Sequence, residues 1–183
     1  MTVQPLSRHG DEEVRQWPTE VAGWPPARDD SSGGPILAVA VAAGAYTSAA
    51  LTGDGRLWTF GSGHHGALGH GDRRAAFAPR PVAGPLAGRR VVAISCGEVH
   101  TAAVCAAGAL WSFGKGCLGH GVAADQRLVP TAVAALFGRA VVAVSCGWRH
   151  TMAVDAEGRA LEGRTAILHC YLLSLIAIPY ICM

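Results

Sequence analysis

Between Val39 and Leu161 the apolar residues recur at every second position, in short runs that end on glycine. Val39-Ala40-Val41-Ala42-Ala43-Gly44, Val92-Ala93-Ile94-Ser95-Cys96-Gly97 and Val142-Ala143-Val144-Ser145-Cys146-Gly147 are copies of one such run. A period of two sends successive side chains to opposite faces of a pleat, so each run predicts a half-buried β-strand. Beyond the closing glycine the alternation resumes at Ala102 and Val104, predicting a second strand. Gly53-Asp54-Gly55 and Ala156-Glu157-Gly158 then interrupt it, and glycine there supplies the positive φ of a tight turn. Leu57-Trp58-Thr59-Phe60 and Leu110-Trp111-Ser112-Phe113 predict a third strand, and Arg80–Val82 and Leu128–Ala132 a weaker fourth. Amphipathic runs long enough for a helical solenoid are absent from the pattern.

The strands therefore come in units of about 50 residues. Val91–Gly97 and Val141–Gly147 differ only where Ile94 is replaced by Val144, and the loop Gly63–Gly69 shortens to Gly116–Gly119 in the second unit. Units of this length and strand content suit blades of a β-propeller, each burying its faces on its neighbours. The fold class expected is all-β: antiparallel sheets forming an incomplete, open arc of blades over 36–90, 91–140 and a partial 141–161. Residues 1–35 sustain no period and carry Asp11, Glu12, Glu13, Pro18, Pro25, Pro26 and Asp29-Asp30-Ser31-Ser32-Gly33-Gly34-Pro35, the composition of a disordered leader. Trp17 and Trp24 are its exceptions, and are expected to dock on the domain's own edge. After Leu161 the repeat is lost, Glu162-Gly163-Arg164 standing where an aromatic pair and glycine are due, and 162–183 is a divergent apolar tail.

Composition narrows the function classes. The 183 residues suffice for one sizeable core, and a formal charge of +2 leaves no basic footprint for nucleic acid. Six cysteines, with Cys96 and Cys146 at one repeat position, read as buried thiols of a reducing compartment, cytoplasmic or nuclear.

The strings V-x-x-I/V-S-C-G-x-x-H-T-x-A-V, G-x-L-W-x-F-G and L-G-H-G, at fixed spacing, resemble repeats of the regulator of chromosome condensation (RCC1) type. Val91–Gly121 carries them almost throughout, Val39–Gly71 carries them with Thr47 in place of the histidine, and Val141–Leu161 carries the first part. Kelch repeats have a similar length, but their paired-glycine and Tyr…Trp signature is missing. The resemblance implies a seven-bladed propeller, of which this chain holds about two and a half repeats. Unpaired sheet edges in such an arc invite self-association.

Candidate chemistry is sparse. Gly61-Ser62-Gly63-His64-His65-Gly66 satisfies G-x-G-x-x-G after a strand, but no helix former follows to receive a phosphate, so the stretch is expected to be a repeat turn. His64, His65, His70, His120 and Cys117 lack a C-x-x-C or H-x-x-x-H pair, so no metal is assigned; the L-G-H-G histidine is expected to bond the backbone. Cys105 and Cys170 have no activating partner, and no cofactor or catalytic residue is assigned. In family members that promote nucleotide exchange on a small GTPase, the loop after S-C-G faces the partner. The resemblance thus implies Glu98, His100 and His150 as partner-binding residues, with Trp148 and Arg149 as interface anchors. The competing expectation for His100 and His150 is that they satisfy backbone groups between blades. The function expected is a non-catalytic protein-interaction module. The alternatives are an exchange factor for a Ran-like small GTPase, and a repeat protein anchored in a membrane by Ala166–Met183, a stretch without charged side chains.

Overall fold

The computed structural model describes residues 21, 24, 37–116, 118–121 and 126–162. Most of the leader with Trp17, the tail with its membrane-anchor expectation, and Cys117 and Cys170 lie outside the described residues.

The alternating runs form strands as expected. β1 (Ala38–Ala43), β2 (Thr47–Thr52), β3 (Leu57–Gly61) and β4 (Ala76–Pro81) make the first blade, and β5 (Val91–Cys96), β6 (His100–Cys105), β7 (Leu110–Lys115) and β8 (Gln126–Ala132) the second. A third blade is built from β9 (Val141–Cys146), β10 (Thr151–Asp155) and β11 (Ala160–Glu162). Every ladder is antiparallel and joins sequence neighbours. The fourth strands begin earlier than the pattern predicts, because the chain re-enters the ladder opposite the glycine of W-x-F-G, Ala76 facing Gly61 and Arg127 facing Gly114. Pro79 and Pro81 hide β4 from a period count, and prolines are tolerated there because β4 is an edge strand.

Cross-strand register sorts each blade into two faces. Val41, Ala50 and Trp58 share the leading face of the first blade, as Ile94, Ala103 and Trp111 do in the second and Val144, Ala153 and Leu161 in the third. On the opposite, trailing faces stand Ala40, Leu51 and Leu57, then Ala93, Val104 and Leu110, then Ala143, Val154 and Ala160. The core lies between blades. Leu51 and Leu57 pack with Ala103, Trp111 and Phe113 in one cluster, and Val104 and Leu110 pack with Ala153 and Val141 in the next. The register also corrects the point where the repeat breaks. Leu161 faces Ala153 as Trp111 faces Ala103, so Leu161 itself fills the tryptophan position, one residue earlier than the sequence pattern implied.

Backbone bonds tie the blades at the turns. Val91 donates to Gly55 O and Val141 to Gly108 O, both at 2.9 Å. Gly108 has φ +79, and a Cβ on it would lie 2.8 Å from Ala140 Cα, so turn conformation and blade contact both require glycine. Trp24 meets Trp58 edge-on with ring centroids 5.9 Å apart, which seats this residue on the leading face of the first blade. That is the docking on the domain's own edge expected of it.

Candidate functional site: the loop end of the second and third blades

The S-C-G runs bring three loops together at one end of the blades. A Cβ on Gly44 would lie 2.1 Å from Gly97 O, and one on Gly97 would lie 2.5 Å from Gly147 O. The three loops can approach this closely because those positions have no side chain. Glu98 N donates to Trp148 O at 3.3 Å, linking the second loop to the third.

Four of the five predicted residues lie at this end with their side chains at least partly open to solvent. Trp148 is 60% exposed, and the Arg149 guanidinium stands 5.3 Å from its ring centroid, a cation–π arrangement. Arg149 Nε is also 4.0 Å from Glu98 Oε2. With Arg149 56% exposed and the two atoms at the limit of ion-pair distance, the pair contributes at most about 1 kcal/mol, so it orients these groups more than it stabilises the fold. Glu98 Oε2 has no hydrogen-bond partner and is shielded from solvent. His150 is exposed, its ring folded over Gly147.

His100 is placed differently. Its exposure is 0%, and Nε2 lies 3.0 Å from Thr151 Oγ1 of the next blade. Burial, with the neighbouring His150, lowers its pKa to about 4. The ring therefore joins blades, as the competing expectation held, bonding the His150 backbone and, in addition, the Thr151 hydroxyl.

The L-G-H-G histidines bond the backbone as expected, His70 at Arg80 and His120 at Ser112, and each also meets a side-chain hydroxyl. Thr59 Oγ1 donates to Leu68 O at 2.7 Å and lies 3.0 Å from His70 Nε2; Ser112 Oγ donates to Leu118 O at 2.6 Å and lies 3.0 Å from His120 Nε2. The single hydroxyl proton is committed to the carbonyl, so the ring nitrogen donates. Burial lowers the pKa of both histidines. The Gly61–Gly66 stretch is a turn with no helix after it.

Two residues were not assigned to this end from the sequence: His65, weighed only as a metal ligand, and Lys115. Burial lowers the pKa of His65 most, and Lys115 of the second blade lowers it further, as does its neighbour His64, while Glu98 opposes them. Lys115 N donates to Val99 O at 2.9 Å, beside Glu98. The signal was the glycine of W-x-F-G: at Gly114, φ is +105 and Val99 O would lie 2.3 Å from a Cβ, so the strand after it folds onto the S-C-G loop.

Reactive groups elsewhere are committed to structure. Burial raises the thiol pKa of Cys96, Cys105 and Cys146, the last to about 11, which leaves poor nucleophiles. Burial would raise the Asp155 carboxyl, but bonds from Arg159 N at 2.9 Å, Arg159 Nε at 2.7 Å and Glu157 N at 3.2 Å outweigh it and hold the pKa below its ordinary value. Among the described residues no three His, Cys, Asp or Glu side chains converge on a metal position. Nor is any helix among them long and apolar enough to cross a membrane.

The family model described as regulator of chromosome condensation (RCC1) repeat matches residues 54–104 and 107–154, and a second model of that description matches 38–67. The human E3 ubiquitin-protein ligase HERC2 is 42% identical over 80 residues, covering 43% of this chain and 2% of the ligase. The Arabidopsis thaliana ultraviolet-B receptor UVR8 is 42% identical over 74 residues, covering 40% of this chain and 17% of the receptor. Human WBSCR16 superposes with a TM-score of 0.64 at 25% identity, covering 74% of this chain and 34% of that one. Prp20p of Saccharomyces cerevisiae, whose structure was described with its binding properties to Gsp1p and histones, gives 0.60 at 23% identity, covering 81% of this chain and 36% of the yeast chain. The chain thus spans about a third of these solved structures and far less of the curated relatives.

Proposed function

The chain belongs to the regulator of chromosome condensation (RCC1) repeat family, and from that membership we propose that it is a non-catalytic module that binds a protein partner with the loop end of its blades. The observation that carries this reading is Trp148. A large aromatic ring stands 60% exposed, stacked by the Arg149 guanidinium and next to Glu98. Exposed aromatic and arginine side chains are the types that dominate binding energy when a partner desolvates them. In this reading Glu98, Trp148, Arg149 and His150 touch the partner, while His100 holds the loops beneath them in register. The partner class is a protein, with a small GTPase the first to test.

The test is capture of partners by the immobilised full chain and by a Trp148→Ala, Glu98→Arg double variant. Because Trp148 is exposed and Glu98 partly exposed, the double variant should stay folded and lose at least tenfold in affinity, about 1.4 kcal/mol. Undiminished capture by the double variant would overturn the assignment.

Exchange-factor activity is the second reading, favoured by the Gsp1p binding described for Prp20p. Release of labelled GDP from a Ran-like GTPase separates the two. Binding without faster release supports the module, and saturable acceleration by the full chain supports the exchange factor.

A further inference from the structure

We infer that the loop end selects an acidic segment of its protein partner, whose carboxylates are received on a cationic strip running from Arg73 and His65 through Lys115 to Arg149. This rests on the partner-binding reading and names the chemistry of the partner that this end takes.

Gln126 builds the strip. It faces Lys115 across the β7–β8 ladder, so its side chain starts from the second blade. That side chain reaches the first blade, where Nε2 donates to His65 O at 2.8 Å and Oε1 accepts from Arg73 Nη2 at 2.6 Å. One amide thus uses its donor and its acceptor to clasp the long loop of the first blade beside Lys115. Lys115 N in turn donates to Val99 O at 2.9 Å, next to Glu98. Glu98 N donates to Trp148 O at 3.3 Å and Arg149 Nε stands 4.0 Å from Glu98 Oε2, so the third blade joins the series. Burial lowers the pKa of His65 most, and Lys115, His64 and Arg73 lower it further, as cations gathered around it must.

The charge that faces water here is positive. Arg73, Lys115 and Arg149 are exposed, and His65 is half-buried. The acidic side chains that the described loops carry at this end are Asp72 and Glu98. Asp72 Oδ1 accepts from Arg74 N at 3.0 Å, and Glu98 Oε2 is shielded from solvent on the side of Arg149. Glu98 is therefore the counter-charge that orients Arg149, and reversing it disrupts the site even towards an acidic partner. The donors suit carboxylates better than phosphates. Arg73 is engaged by Gln126 and Arg149 lies against Trp148, so neither offers the open fork that clamps a phosphate. The ammonium of Lys115 is a point charge that meets carboxylates spaced along a chain.

The probe is an N-terminally labelled peptide of alternating Glu and Ser, about a dozen residues long so that it crosses several blades when extended. Titrated with the full chain and followed by anisotropy, it should bind at low salt and weaken as salt rises, while the same peptide with Gln for Glu does not bind. Lys115→Glu should weaken binding at least about fivefold, and Arg90→Glu, an equal charge reversal at the opposite, turn end, should change it less than about twofold. Lys115 is the only lysine in the sequence, so carbodiimide should join the peptide to the parent chain there, and Lys115→Gln should give much less product. No binding, an equal loss in Arg90→Glu, or a DNA duplex that displaces the peptide more tightly charge for charge would each overturn the inference. None of these results bears on the Trp148 capture experiment, which reads a whole-protein partner and leaves Lys115, Arg73 and His65 unchanged.

Discussion

The His100 ring has lost its water and keeps a hydrogen bond from Nε2 to Thr151, and this has a measurable consequence at the scale of one residue. The folded ring titrates near 4, below the ordinary 6.5, chiefly because burial disfavours the imidazolium. Between those values the unfolded chain binds the proton and the folded chain does not. Stability is therefore complete above pH 6.5, falls as pH drops towards 4, and levels off below that. A separation of about 2.5 units corresponds to a loss on the order of 3 kcal/mol across the window. His70 and His120, also lowered by burial, add to the loss in the same direction. Urea unfolding at pH 7 and pH 4.5 should show the fall, and His100→Asn should reduce it. An equal fall in the variant would mean that the other histidines carry the whole effect. The histidine itself stood out in the sequence because it recurs in H-T. Its partner did not, because Thr151 lies on another blade and belongs to a different copy of the same motif.

At the scale of the element, a strand here owes its place to the blade before it. Trp111 lies on β7, yet it packs with Leu51 and Leu57 of the first blade, and the Arg89 guanidinium stands 5.0 Å from its ring centroid. The loop of L-G-H-G extends the same logic: Thr101 Oγ1 donates to Ala67 O at 2.8 Å, and a Cβ on Gly69 would lie 2.8 Å from Phe113. Trp111→Ala should cost about 3–5 kcal/mol, because the cavity opens between two sheets that cannot both collapse into it. The melting curve checks this, and an unchanged midpoint would contradict the leading-face assignment. Strands, turns and repeat boundaries were legible because a period of two and positive-φ glycines are local properties of the chain. The facing of Trp111 on the neighbouring blade was not, since alternation gives two faces without saying which neighbour each one meets. At Leu161 the cue that fixes register, the tryptophan, is gone, and only the pairing with Ala153 restores it.

On the scale of the whole molecule the three blades are unequal. Among the described residues the second is covered on both faces, the first on its trailing face and by Trp24, and the third on its leading face. In a stacked-repeat architecture stability is close to a sum of unit and neighbour contributions, so coverage becomes a gradient of opening free energies. Backbone amides of β6 should exchange most slowly and those of β10 and β11 markedly faster. Trp24 makes the gradient testable from the other end. An edge-on aromatic pair contributes about 0.5–1.5 kcal/mol beyond its buried area, so Trp24→Ala should speed exchange in β2 and β3 about threefold to tenfold. The effect should fade across the second blade and vanish in the third, because Trp24 meets the first blade, at Trp58. Uniform acceleration across all the strands would show that the blades open as one unit.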